Sequence, residues 1–224
     1  MIGSPSRQRA IAVCGLAGVV ALGVYYSVPL PLPAPDASVQ EIIQFGTRYH
    51  NRILLDAWLQ AVGSLLAVIF FVAIVELAGG FHRLAGWIAL VGTSAVLAMS
   101  LLDVTLVFGS MQGAASGHLT TAVTCFDLTY VFIHVFPIGP APATFFGLGV
   151  VLLRSTLLPR VFAFAALALA VGFETLGFIG LFVPAINGAI VVLLSSQELW
   201  IAAAALTLAT RAWVVHPAGP LSAS

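Results

Sequence analysis

Few residues of this 224-residue chain can do chemistry, and they sit where chemistry is costly: Glu174, Asp103, Glu198 and Asp56 interrupt long apolar runs, with Gln60 and His134 in or beside the same runs. An ionisable group inside such a run is expensive to bury, so it marks a binding or proton-handling site unless a neighbour explains it. Glu174 stands out because Gly172, Gly177 and Gly180 surround it and permit close helix approach. A carboxyl held there is poised to exchange a proton or to meet a cationic ligand. Asp56, Gln60 and Ser64 fall at i, i+4 and i+8 and form one polar stripe, while Thr93, Ser100 and Asp103 share a face of the next apolar run. Both stripes should face protein, because facing lipid would strand their polar atoms. Together they imply an acidic, outward-facing vestibule with Arg48 or Arg52 over its mouth.

Each residue also has a purely structural reading. Ser195-Ser196-Gln197-Glu198 has capping-box spacing at the expected start of a helix, which would make Glu198 a cap. Asp56 can pair with Arg52 four residues earlier as a surface ion pair. Asp103 lies near an outer helix end within reach of water, and Asp127 belongs to an outer amphipathic segment. Glu174 can serve as a neutral acid that hydrogen-bonds a neighbouring helix.

Absent residues exclude more. All eight basic residues are arginines, so no lysine is available for a Schiff base, a nucleophile or a P-loop. Eight acids balance them, leaving no basic surface for nucleic acid or anionic lipid. Cys14 and Cys125 form no Cys-x-x-Cys pair, and His50, His82, His118, His134 and His216 show no ligand spacing. Neither a metalloprotease His-Glu-x-x-His nor a Gly-x-Ser-x-Gly elbow occurs. No cofactor and no metal is expected. The reading leans away from an enzyme, since no nucleophile, base and orienter can be named together.

The elements that must position these side chains follow from composition: 61% hydrophobic, 7% charged, mean hydropathy +1.11. Such a chain has the lipid bilayer as its main partner. The predicted fold is all-α, one polytopic domain over 1–224, with six transmembrane helices near 10–30, 54–78, 84–108, 132–153, 160–183 and 197–215 and short extracytoplasmic interfacial helices. Arg7 and Arg9 precede a first apolar stretch of about 20 residues, long enough to span rather than only to target, so this helix is expected to stay uncleaved. Six arginines on one side against Arg48 and Arg52 on the other predict cytoplasmic termini. Ser38-Val39-Gln40-Glu41 predicts a capped outer helix running through Arg48 to Arg52. Residues 185–194 are apolar but too short to cross, so an interfacial or re-entrant segment is expected. In 119–153 the prolines Pro137, Pro140 and Pro142 mark a break. The expected arrangement is a surface segment over 119–131 followed by a kinked span, with a deeply broken helix as the alternative. No internal repeat is visible.

Read together, Arg48-Tyr-His-Asn-Arg52, Trp58-Leu-Gln60, Phe136-Pro-Ile-Gly-Pro-Ala-Pro142, Gly147-Leu-Gly149, Leu158-Pro159-Arg160, Phe173-Glu174 and Gln197-Glu198-Leu-Trp200 resemble a group of actinobacterial multi-pass membrane proteins classed as domains of unknown function. The resemblance covers residues 40–212 and implies a six-helix integral membrane protein, with no activity attached. The expected function is binding or transport of a small cationic or amphipathic ligand, linked to protons, through the acidic pocket. The rival expectation is a scaffold or assembly subunit whose buried acids only glue helices, which leaves a homo-oligomer or a protein partner open.

Overall fold

The computed structural model describes the chain except residues 1–3, 28–32, 34–36, 184–186 and 215–224. Among the described residues there are helices and no strand. In order they are α1 (Pro5–Ser27), α2 (Val39–Arg48), α3 (His50–Leu77), α4 (Leu84–Ala115), α5 (Leu119–Val135), α6 (Pro140–Leu153), α7 (Arg160–Gly180) and α8 (Asn187–Val214), with a 3-10 turn at Gly80–His82. Two turns demand glycine. Gly79 (φ +68°) separates α3 from the 3-10 turn and Gly117 (φ +73°) separates α4 from α5, a left-handed backbone that costs a side-chain-bearing residue about 1–2 kcal/mol.

Helices α1, α3, α4, α7 and α8 are long and apolar enough to cross a membrane. Trp58 on α3 and Trp87 on α4 are exposed, the placement of interfacial aromatics. From Trp58 to Leu77 at the end of α3 is about 28 Å along a helix, close to the roughly 30 Å of a hydrocarbon core. The arginine end of the bundle is tied together by Arg7, which pairs with Glu76 at the foot of α3. Arg211 serves the same end by donating to the carbonyls of Thr156 and Leu157 at 3.0 and 2.7 Å.

The fourth expected span resolves differently. The chain breaks at Phe136–Gly139, where local bonds such as Ala141 N–H to the Phe136 carbonyl (3.2 Å) replace the helical ladder. The following α6 has 14 residues, about 21 Å, short of a hydrocarbon core. Residues 119–131 belong to α5, which packs against α4 rather than lying apart. The expectations for 185–194 and for a helix start at Ser195 are also corrected. Residues 187–214 form one helix, and the hydroxyls of Ser195 and Ser196 donate backward to the carbonyls of Val191 and Val192. Serine satisfying its own helix four residues back is not a cap. The apolar run simply continues across the serines.

Short α6 survives because it is enclosed. Nine of its residues are buried, and glycines let it touch its neighbours backbone to backbone. A Cβ on Gly92 of α4 would lie 2.5 Å from the Thr144 amide, and one on Gly147 would lie 2.5 Å from the Ala89 amide. Above α6, a Cβ on Gly177 would meet the Pro137 backbone at 2.9 Å, so α7 buttresses the break. Aromatic rings fill the middle of the bundle. Phe145 of α6 meets Phe71 (5.7 Å between centroids), Phe173 (6.0 Å) and Trp200 (5.8 Å), and the Trp200 indole donates to the Phe162 carbonyl at 2.9 Å.

Gly92→Ala and Gly147→Ala should each destabilise the fold by about 1–3 kcal/mol through overpacking. Gly23→Ala, whose Cβ would meet nothing within 4 Å, should be neutral or stabilising by up to about 1 kcal/mol. Thermal unfolding of the three variants in detergent measures the contrast.

Candidate functional site

The two polar stripes meet face to face. Gln60 of α3 donates its amide to Asp103 Oδ2 of α4 at 2.8 Å, and one turn deeper the Ser64 and Ser100 hydroxyls lie 2.8 Å apart. One turn above Gln60, Arg52 Nε donates to Asp56 Oδ2 at 3.0 Å and lies 2.8 Å from Oδ1. Asp56 is buried, with 5% of its surface exposed. The pair expected at the surface is therefore a largely desolvated one, where a charge needs its partner.

These groups open onto one cavity of about 520 Å³, at the end of the bundle remote from Arg7, Arg83 and Arg211. Asp56, Gln60 and Asp103 line it, with the Tyr25 side chain from α1. The rest of the wall is mainly apolar and comes from α2, α3, α4, α5 and α8. The Ser110 hydroxyl donates to the Ala122 carbonyl at 2.9 Å and stitches α4 to α5 at the cavity's edge. Asp103 lies 16 residues beyond Trp87, about 24 Å up α4, and Gln60 lies about 3 Å below Trp58. The site thus sits just inside the hydrocarbon boundary.

The charge balance there is uneven. Asp56 has its arginine, whereas among the described residues Asp103 has no ion-pair partner and receives only the neutral Gln60 amide. A carboxylate at such depth calls for a cation or a proton. The cavity can therefore hold an apolar body with one positively charged or proton-sharing group.

The other candidates lie elsewhere. Glu174 is exposed on α7 between Val171 and Phe178 and does not line the cavity. Glu198 is half-buried on α8, one turn below Leu194 and Ser195, which do line it. His134 falls within α5, and its side chain is outside the described residues. Asp127, His50, His82 and His118 are exposed. Among the described residues, no three His, Cys, Asp or Glu side chains gather where they could hold a metal ion.

The roof is α2, formed where the capping box expected it. The Ser38 amide and hydroxyl donate to Glu41 Oε2 at 2.7 and 2.9 Å, and the Glu41 amide donates to Ser38 Oγ at 3.3 Å. The helix ends at Arg48, with Tyr49 as its C-cap, rather than running through Arg52. Its apolar face turns Ile42, Phe45 and Gly46 to the cavity. Spacing marks where α2 starts but not that it roofs a cavity, and it singles out none of Tyr25, Met111, Phe126 and Thr129. Tyr25 near the end of the first apolar run was a signal, as an interfacial aromatic. The residues of α4 beyond 108 and of α5 gave none, because nothing in their spacing names a partner.

The fold and this cavity define a helical multi-pass membrane protein with a polar-floored pocket near one membrane boundary. Comparison with known proteins adds nothing to that class: no family model matches the chain, and no curated protein or solved structure is detectably similar to it.

The bonds from Ser38 hold the Glu41 carboxyl below its ordinary range, the backbone bond contributing most. Because the folded value is lowered, the capping contribution is fully present above the ordinary carboxylate range and is lost as pH falls through the lowered value. Amide exchange across α2, corrected for intrinsic rates, should show protection falling in that acid window in the wild type. In Glu41→Ala, protection should be low and independent of pH there.

Proposed function

We propose that this protein is a bacterial inner-membrane protein that binds a small ligand in the pocket floored by Asp56, Gln60 and Asp103, with Asp103 meeting the ligand's positive charge or exchanging a proton. The observation that carries the reading is the convergence of these three side chains, from two helices, on one apolar-walled cavity of about 520 Å³. That size lies within the range of small-molecule sites, and such sites combine apolar walls with a few convergent polar groups. The Arg52–Asp56 pair is internally neutral, so Asp103 is the pocket-lining carboxyl with no ion-pair partner among the described residues. Transport would require the ring cluster of Phe71, Phe145, Phe173 and Trp200 to rearrange, since it packs the bundle beneath the pocket.

The arginine distribution supports an outward-facing pocket and cytoplasmic termini. Green fluorescent protein fused to the C-terminus should fluoresce, and alkaline phosphatase fused there should be inactive. The opposite pair of results would place the pocket on the cytoplasmic side.

One observation favours the scaffold reading. Glu174 is exposed on α7 with apolar neighbours at Val171 and Phe178, a surface on which a carboxyl gains a partner only from another chain. Native mass spectrometry of protein extracted from its own membranes separates the two. Wild type and Glu174→Gln should retain a small molecule that folded Asp103→Asn lacks. A protein subunit that leaves on Glu174→Gln substitution, with no small molecule on any form, would replace the pocket reading by the scaffold one.

A further inference from the structure

The exposure of the pocket's lining residues says more about what it takes. Of its lining residues, only Val191 and Ser195 are exposed, and both belong to α8. The linings from α3 and α4 are buried or half-buried, and so is the roof from α2. Ser195 and Val191 precede Arg211 by 16 and 20 residues, which places them about 24 and 30 Å above the arginine end. That is the level where hydrocarbon gives way to head groups. The exposed side chains beside them on α8 are apolar, Val192 at 64% and Leu199 at 70%, and the half-buried Glu198 lies one turn below.

The helix packing leaves room for an opening there. Helix α8 packs on α1 and α7, while α5 packs on α4 and, less, on α2 and α7; α5 and α8 both line the cavity with no more than a marginal contact between them. On the side away from the bundle's core, α2 closes the space with Ile42, Phe45 and Gly46.

We propose that the ligand is an amphiphile with a single ammonium group, which enters sideways from the bilayer through the mouth at Val191 and Ser195 and sets its charge against Asp103. The inference rests on the pocket reading above and adds the ligand's class and its route. One positive charge suffices because Arg52 already neutralises Asp56. An apolar tail suits the walls, and an amphiphile in that leaflet already carries its head group at the mouth's height.

The test uses protein in lipid nanodiscs and tritiated dodecyltrimethylammonium, read by scintillation proximity. Wild type should bind it saturably, and Asp103→Asn should bind at least tenfold more weakly. Ser195→Phe and Val191→Phe, at exposed positions where a larger ring leaves the fold intact, should slow association at least tenfold. Val13→Phe, at an exposed position on α1 that does not line the pocket, should leave the rate unchanged. Saturable binding with no effect of the α8 variants on association would overturn lateral entry at this mouth and leave the pocket intact. Equal binding by wild type and Asp103→Asn would overturn both. Saturable binding of tetramethylammonium at concentrations where the dodecyl probe does not bind would overturn the amphiphile class while retaining a cation site.

Discussion

The architecture depends on how closely α6 approaches α4. Two apolar helices in lipid gain little from burying surface against each other, because lipid tails are as apolar as leucine, so they associate through packing contact. Gly92 and Gly147 remove the side chains that would hold the backbones apart, and Phe145 then reaches the centre of the bundle against Phe71, Phe173 and Trp200. With its backbone bonds made internally and its surroundings protein, α6 can be shorter than the bilayer. A lipid-facing helix of 14 residues has no such freedom.

The cavity is the counterpart of that short helix. Where α6 stops, the chain breaks at Phe136–Gly139 and departs into α5, so the bundle is packed in its middle and open toward the end remote from the arginines. The polar seam between α3 and α4 lies on that open side. Its hydrogen bonds run from Arg52–Asp56 through Gln60–Asp103 to Ser64–Ser100 and stop where the aromatic rings begin. Below it lies the packed ring cluster, where an unpaired polar group would carry a desolvation cost of several kcal/mol.

Much of the local structure was legible in the residues. Asp56, Gln60 and Ser64 recur every fourth residue and Ser100 and Asp103 share a face, so helical periodicity alone turned each stripe to one side. The Ser38–Glu41 box announced the start of α2, since capping is a contact between residues three apart. Glu198 and Glu174 were less readable. Serine before a glutamate has the spacing of a cap, and only the continuing apolar run shows that Ser195 and Ser196 bond backward inside a longer helix. Glu174 among glycines looked interior, yet Gly172 and Gly177 turn toward Leu193 and Pro137 while Glu174 itself faces outward.

Neighbouring residues alone encode a helical membrane protein, the capped start of α2 and the polar faces of α3 and α4, because hydropathy, capping and periodicity are local properties. Tertiary packing alone brings the stripes of α3 and α4 together at Gln60 and Asp103, encloses the short α6 and lets α2 and α5 wall a cavity. Those outcomes depend on which helices are adjacent and how closely they pack. That is settled by contacts between residues tens of positions apart, such as Gly92 with Thr144 and Gly177 with Pro137, and no local pattern records them.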